Sequence, residues 1–437
     1  MRVSRSIRSV VGAASLTAIA IGLFARDARA GTDADAIAEL QKKAVACYEK
    51  KDFACFLDLS RQAQTLRPAS SLLLYNVACG EALTGDAAGA ARDLGTLVDG
   101  KLDPAYEKDD DFAAVRDTPA FDGLRRKIAG LRAPVSNSQV AFRLPQKDLL
   151  TEGIAYDPAT KAYFVGSVHR RKIVRRAADG TVSDFVPERR DGLEGVLGLA
   201  VDAKRHLLWA VTAALPQMEG WDASQEGTSA LVAFDLQSGK QVVRAALPKA
   251  GKHALNDLAI AANGDVYATD SLDSGVYRLR AGAKSLEAFV APGIFRSPQG
   301  IAFAADGKRA YIADYGTGIW IVDLASGKRE AVTGPRDLPL QGVDGLTRHG
   351  RDLLVTQNGI APARVTRLTL DASGKSVVAG EILEMNTSLT EEPTLGVVVG
   401  DDFVYVANAQ WSRLADDGKL RSDFTEPTIA RVSLRPR

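Results

Sequence analysis

The sequence predicts an all-β six-bladed β-propeller preceded by an N-terminal α-helical domain, and three observations predict it. A short motif, a polar or apolar residue followed by glycine, an apolar residue and alanine, recurs with variations six times in the later part of the chain. After Ala133-Pro134 the apolar residues alternate with period two, among β-branched and aromatic residues and Gly, Asp or Asn turns. From about Asp33 to Arg132 they recur instead at three and four, in a stretch rich in Ala, Leu, Lys and Glu. The expected division is 1–30, 31–132 and 133–437.

The first thirty residues read as a targeting segment. Arg2, Arg5 and Arg8 form a basic region, Val10 to Phe24 is an apolar run, and Ala28-Arg29-Ala30 fits a cleavage site. The segment carries five Arg and one Asp, so without it the formal net charge falls from +1 to −3. Neither value gives a reason to expect nucleic acid or an anionic membrane surface as partner. No later run is apolar enough to span a bilayer, so the expectation is a soluble periplasmic or secreted protein.

Within the helical region Asp52 and Asp86 are 34 residues apart, and the same offset relates Ala44 to Ala78 and Ala54 to Ala88. Thirty-four is the period of tetratricopeptide helix hairpins, which the region resembles over about two units. Such repeats imply docking to a protein partner or to the neighbouring domain; simple packing is the other reading. A further amphipathic segment carries Phe112, Val115, Phe121, Leu124, Ile128 and Leu131. Three cysteines lie here. Cys47 and Cys55 flank the turn Tyr48 to Asp52, which suits a hairpin staple; buried reduced thiols fit equally.

The motif in the second region reads Glu152-Gly153-Ile154-Ala155, Leu197-Gly198-Leu199-Ala200, Asn256-Asp257-Leu258-Ala259, Gln299-Gly300-Ile301-Ala302, Asp344-Gly345-Leu346-Thr347 and Leu395-Gly396-Val397-Val398. Its first positions are 45, 59, 43, 45 and 51 residues apart, a propeller period, and six repeats imply six blades. The long interval holds Pro216 to Thr228, which reads as an insertion. A second strand follows each first one and ends on Ser167, Thr212, Asp270, Asp314, Gln357 or Asn408, 13 to 15 residues on. The last blade lacks an outer strand after Ile429 to Leu434, and Val140 to Leu144 can supply it. That closure removes the open edges.

The first strand of each propeller blade lines the central channel. Glu152, Asn256, Gln299 and Asp344 should therefore converge at one mouth, with Leu197 and Leu395 capping the other two directions. The polar ends of the second strands return to the same face, slightly outside. Four oxygen donors with two carboxylates suit a hard divalent ion, Ca²⁺ before Mg²⁺. Solvation of the funnel is the alternative.

The six-blade pattern with Glu152-Gly153, Asn256-Asp257 and Asp344-Gly345 resembles the senescence marker protein, gluconolactonase and luciferin-regenerating family. The related paraoxonases and strictosidine-synthase-like propellers share the architecture. The resemblance covers residues 136–437. It implies a divalent metal on the inner strands and hydrolysis of lactones or related esters. It makes Glu152 and Asp344 acidic ligands, and Asn256 the amide that binds metal or substrate. Gln299 departs from the pattern, because the family usually has Asn there; its added methylene either shifts the ion or makes this group a substrate contact.

For the base that activates water, Asp270 is the first candidate, Asp314 the second and His253, three residues before Asn256, the third; capping of backbone N–H groups is the alternative for both aspartates. Tyr315, Gln357 and Asn408 are candidate substrate contacts, and Trp221 in the insertion is a candidate lid. No nucleophile motif, phosphate loop or Cys–His pair is present. The competing class is a non-catalytic propeller that binds a ligand or protein, with a structural metal or none.

Overall fold

The computed structural model describes residues 33–435 apart from 69, 249–250, 336–337, 416–419 and 422. The targeting segment expected over residues 1–30 lies outside the described residues. The chain divides into two compact units, a helical one ending at Ala133 and a larger β unit beginning at Pro134. Among the described residues no helix is long and apolar enough to cross a membrane.

The helical unit contains α1 (Asp33–Glu49), α2 (Phe53–Leu66), α3 (Ser71–Leu83), α4 (Ala87–Asp99) and α5 (Asp122–Leu131). The 34-residue offset has a physical cause at its aspartates. Asp52 caps α2 by accepting from Cys55 N at 3.1 Å, and Asp86 caps α4 by accepting from Gly89 N at 2.8 Å. Ala44 and Ala78 are buried, but Ala54 and Ala88 are exposed, so only the first pair serves packing. Phe112, Val115, Phe121, Leu124, Ile128 and Leu131 are all buried, as their spacing requires. Cys47 and Cys55 form a disulfide with Cα atoms 5.8 Å apart, and Cys79 is a buried free thiol.

The β unit is a six-bladed propeller of four-stranded antiparallel sheets. The inner strands are Thr151–Asp157, Gly195–Asp202, Leu255–Ile260, Pro298–Phe303, Val343–His349 and Gly396–Val399. Each packs beside the inner strand of the next blade, and the sixth packs beside the first, which closes the ring. The sixth blade takes its outer strand, Ser138–Arg143, from the start of the unit, paired with Thr428–Ser433 in the register Ser138↔Val432 to Arg143↔Thr428. The ends of the unit are thereby stitched together, and the strand expected from Val140 to Leu144 does the stitching. Apolar residues from facing sheets fill the gaps between blades; Phe164, Ile173, Val196, Leu208 and Phe234 do so between the first and second.

Candidate functional site

The motif's first two residues form a β-bulge in each of the first five blades. Pairing with the second strand runs normally to Thr151, Val196, Leu255, Pro298 and Val343, then resumes at Ile154, Leu199, Leu258, Ile301 and Leu346. The two skipped residues are the motif residue and the one after it, so the bulge re-aims that side chain while the strand continues. Glycine follows because the next blade is close. A Cβ on Gly198 would lie 2.8 Å from Asn256 O, one on Gly300 2.6 Å from Asp344 O, and one on Gly345 2.6 Å from Thr394 O. The third blade has Asp257 there, and its buried carboxylate accepts from Ile301 N of the fourth blade at 3.1 Å.

In four blades the polar end of the second strand (Ser167, Asp270, Asp314 or Gln357) bonds the loop that leads into the inner strand, and Asn408 bonds the segment before the third strand of its blade. Asp270 is fully buried; its Oδ1 accepts from Ala254 N, Leu272 N and Asp273 N at 3.0, 3.1 and 3.0 Å. Its Oδ2 lies 2.7 Å from His253 Nδ1. Asp314 accepts from Ser297 N at 2.9 Å and Arg296 N at 3.1 Å, and from the Thr317 hydroxyl. Gln357 donates to Gln341 O at 3.0 Å, Ser167 donates to Leu149 O, and Asn408 Oδ1 accepts from Thr428 N at 2.6 Å. For Asp270 and Asp314 these contacts match the alternative of capping backbone N–H groups, with each carboxylate engaged at both oxygens. Gln357 and Asn408 are buried, as are Glu152, Asn256 and Asp344.

His253 is also buried. Its Nδ1 meets Asp270, its ring stands edge-on to Tyr277, and a Cβ on Gly251 would lie 2.7 Å from Nε2. The hydrogen bond that His253 donates to Asp270 raises its pKa above the ordinary histidine value, against the opposing effect of burial. His253 thus belongs to the clamp of the third blade.

Near the axis a different set gathers. Asn256 donates its Nδ2 to Gln299 Oε1, and Gln299 donates to Ser297 Oγ at 2.8 Å. Gln299 is therefore not an open oxygen donor, as the sequence suggests, but the group that orients Asn256. Its extra methylene lets the carbonyl reach across from the fourth blade to the third. Among the described residues Asn256 Oδ1 is buried without a hydrogen-bond partner, and so is Asp344 Oδ1. Asp344 Oδ2 accepts from Asn358 Nδ2 at 2.5 Å, and Asn358 Oδ1 accepts from the Tyr315 hydroxyl at 2.8 Å. Glu152 Oε2 accepts from Trp411 Nε1 at 2.6 Å.

Sequence reasoning missed Asp257, Asn358, Glu392 and Trp411. Asp257 was legible as the break in the glycine column. Glu392 stands three residues before Leu395, as His253 stands three before Asn256, but nothing in one sequence separates these two loops. Asn358 and Trp411 carry no signal of their own. Asp257, Glu152, Asp344 and Glu392 are all more than nine-tenths buried. Burial, opposed by Asn358, pushes Asp344 up to about 6. Burial and then the Asp344 charge push Glu392 up to about 7 against its bonds to Ser412. Asp257 is pushed up to about 7, chiefly by burial. Glu152 is raised by burial and by Asp344, against the Trp411 bond. Tyr315 is raised by burial and then by Asp344, Glu392 and Glu152. Burial is the largest cause for each of these groups, and the neighbouring carboxylates add to it for Glu152, Asp257, Glu392 and Tyr315.

No family model matches the chain, and no curated protein matches it. Solved structures do. One is a gluconolactonase from Xanthomonas campestris, 16% identical over 70% of this chain and 93% of that one, with a TM-score of 0.47. A luciferin-regenerating enzyme is 14% identical over 69% and 95%, with a TM-score of 0.48. A calcium-binding regucalcin from Agrobacterium tumefaciens is 16% identical over 68% and 93%, also at 0.48. The likeness is one of fold, to the same group of propellers that the motifs resemble.

The other half of the face is apolar. Leu197 packs in one buried cluster with Leu150, Leu255, Leu414 and Phe424, with Trp411 and Leu215 against it. Trp221 is half-buried in an insertion tied down by Glu219 N to His169 O at 3.0 Å, and its Nε1 is buried without a hydrogen-bond partner. A divalent cation suits the axial donors: two orphaned buried oxygens, on Asn256 and Asp344, stand among carboxylates that raise one another's pKa. Among the described residues, ligand atoms of three His, Cys, Asp or Glu side chains lie within 4.8 Å of one another in two groups, neither of them axial. These are Cys79, Asp109 and Asp111 in the helical unit, and His253, Asp270 and Asp273 in the propeller.

Proposed function

We propose that the protein is a divalent-metal-dependent hydrolase that opens a lactone or related ester with water at the axial site. The observation that carries this reading is the pair of unpartnered buried oxygens, Asn256 Oδ1 and Asp344 Oδ1, beside Glu152. Glu152, Asn256 and Asp344 would hold the ion, with Ca²⁺ favoured by an all-oxygen donor set. When bound, the ion supplies electrophilic stabilisation of the oxygen that gains charge at the substrate carbonyl. Gln299 and Asn358 fix the amide and carboxylate on either side. The attacking water must lose a proton as it adds, and the sequence assigns the acceptor to Asp270, Asp314 or His253. The proton then passes to the alkoxide released when the ring C–O bond breaks. The apolar wall of Leu197, Leu414 and Phe424 excludes bulk water.

Thermal melting of the purified protein with calcium and with a chelator tests the proposal, beside Glu152→Ala and Asp344→Ala. Ligand at a hundred times its dissociation constant stabilises by about 2.7 kcal/mol. A shift in the wild type that both variants lose supports the axial ion and justifies a lactone panel; no shift with any divalent ion refutes it. The second reading, a non-catalytic binding propeller, is favoured by the engagement of Gln299 with Asn256 and predicts an ion shift without turnover. We also place the protein in an oxidising compartment, periplasmic or secreted, on the strength of the Cys47–Cys55 disulfide.

A further inference from the structure

Two axial donors with an open oxygen are held from the blade that lies between them. Asn256 belongs to the third blade and Asp344 to the fifth; the groups that orient them, Gln299 and, through Asn358, Tyr315, belong to the fourth. Gln299 lies at the start of the fourth blade's inner strand, Pro298–Phe303, and Tyr315 directly follows its second strand, Arg309–Asp314. Antiparallel pairing brings these two ends together. Pro298 is paired with Asp314, and Tyr315 N donates to Ser297 O at 3.0 Å.

Asp314 fastens that junction. It is 1% exposed; its Oδ1 accepts from Ser297 N at 2.9 Å, and its Oδ2 accepts from Arg296 N at 3.1 Å and from the Thr317 hydroxyl. Two chains of hydrogen bonds leave the junction toward opposite neighbours. In one, Gln299 donates to Ser297 Oγ at 2.8 Å and accepts from Asn256 Nδ2. In the other, the Tyr315 hydroxyl donates to Asn358 Oδ1 at 2.8 Å, and Asn358 Nδ2 donates to Asp344 Oδ2 at 2.5 Å. Tyr315 has a seat on the fifth blade. A Cβ on Gly359 would collide with its ring, so the ring crosses the neighbour of Asn358 that carries no side chain, and Tyr315 O accepts from Gly342 N at 2.8 Å. Each chain engages one polar atom of its axial group. The other, Asn256 Oδ1 or Asp344 Oδ1, is the one without a partner among the described residues. An amide or carboxylate held at one end cannot exchange its two ends, so the junction sets which oxygen is open.

We infer that Asp314 is the common positioning residue of the axial centre: through Ser297–Gln299 and through Tyr315–Asn358 it sets the orientation of Asn256 and Asp344 together, although its own bonds end at Arg296, Ser297 and Thr317. That an ion uses the two open oxygens rests on the axial reading; the coupling of the two side chains does not. Asp270 is the internal comparison. It ends the same strand of the third blade and is as deeply buried, but its bonds end at His253 and three backbone N–H groups.

The test is nuclear magnetic resonance of the metal-free full chain, isotope-labelled at asparagine. The side-chain amides of Asn256 and Asn358, assigned by their loss in Asn256→Ala and Asn358→Ala, should exchange slowly with solvent. Tyr315→Phe should shift and speed the Asn358 amide alone, Ser297→Ala the Asn256 amide alone, and Asp314→Asn both. Thr317→Val removes the hydroxyl bonded to the same carboxylate, a milder change that should move both amides even if Asp314→Asn does not fold. Asp270→Asn should leave the Asn358 amide in place. Asp314 and Thr317 variants that move neither amide, or only one, overturn the inference, as does a shift of Asn358 in Asp270→Asn. Calcium titration calorimetry then separates the two readings. Tyr315→Phe and Ser297→Ala should each weaken binding about two- to tenfold, the scale of one hydrogen bond, and Asp314→Asn by more than either. Coupled amides in a wild type that binds no calcium keep the anchor and remove the ion; calcium binding that all three variants retain unchanged keeps the ion and removes the anchor.

Discussion

Asp270→Asn separates a clamp from a base. In the wild type one carboxylate oxygen gathers three backbone N–H groups and the other faces His253 Nδ1, with the whole group at 0% exposure. The amide is nearly isosteric and keeps one acceptor oxygen, so the three N–H bonds weaken while the charge-assisted bond to His253 is lost. A hydrogen bond to a charged group contributes about 1.5–3 kcal/mol, so the expected loss of stability is of that order. At roughly 2 °C per kcal/mol for a unit of this size, melting should fall by about 3–6 °C. The loss should depend on pH in a definite direction. Asp270 raises the His253 pKa, so this stabilisation is fully present below about 6.5, the unfolded histidine value, and fades as pH rises through the folded value. The difference between wild type and variant should therefore be larger near pH 5.5 than near pH 9. Scanning calorimetry at both values is the assay. Equal melting temperatures at both would refute the clamp and restore Asp270 as a candidate base.

Other predictions follow from the same contacts. Gly198→Ala places a methyl 2.8 Å from the Asn256 carbonyl and should cost about 1–3 kcal/mol in urea unfolding, with loss of calcium binding because Asn256 moves. In metal-free protein Asp257 and Glu392 have folded pKa values of about 7, above their unfolded values, so stability should be greatest below about pH 4 for these groups and decline as pH rises to about 7. Glu392 alone corresponds to roughly 3 kcal/mol over that window, and its replacement by Gln should flatten the profile in a pH series of melts. Trp411→Phe removes the donor to Glu152 and should weaken calcium binding several-fold at neutral pH, measured by titration calorimetry. Cys47→Ser should lower the stability of the helical unit by roughly 2–3 kcal/mol, the entropy expected for a loop this short, and reductant should produce the same change in the wild type.

The blade count, the stitching strand and the inner-strand positions were legible because each blade repeats one solution to one packing problem. Gly153, Gly198, Gly300 and Gly345 recur because the adjoining inner strand leaves no room for a Cβ, and a constraint repeated at a fixed period is visible in one sequence. The residue before each glycine, polar except for Leu197, was legible for the same reason: it is the other half of the bulge. Roles were not legible. Asp270, Asp314, Gln357 and Asn408 look alike from sequence whether they face a substrate or a backbone amide. Only the hydrogen-bond partners show that the first three bond the loop into the inner strand and that Asn408 bonds the segment before the third strand.

Gln299 shows where such reading stops. Sequence identifies it as an amide on the inner ring, and by position an equal of Asn256 and Asp344. Its distinctive property is reach. From the fourth blade its carbonyl takes the Asn256 N–H, which frees Asn256 Oδ1 from any protein donor. An Asn at 299 is one methylene shorter and would leave the Asn256 amide to rotate, offering either oxygen or nitrogen inward. The longer side chain therefore biases Asn256 toward presenting an acceptor, which is what a cation or a substrate donor requires. The longer side chain thus acts on the orientation of its neighbour, through a contact between two blades that spacing alone does not specify.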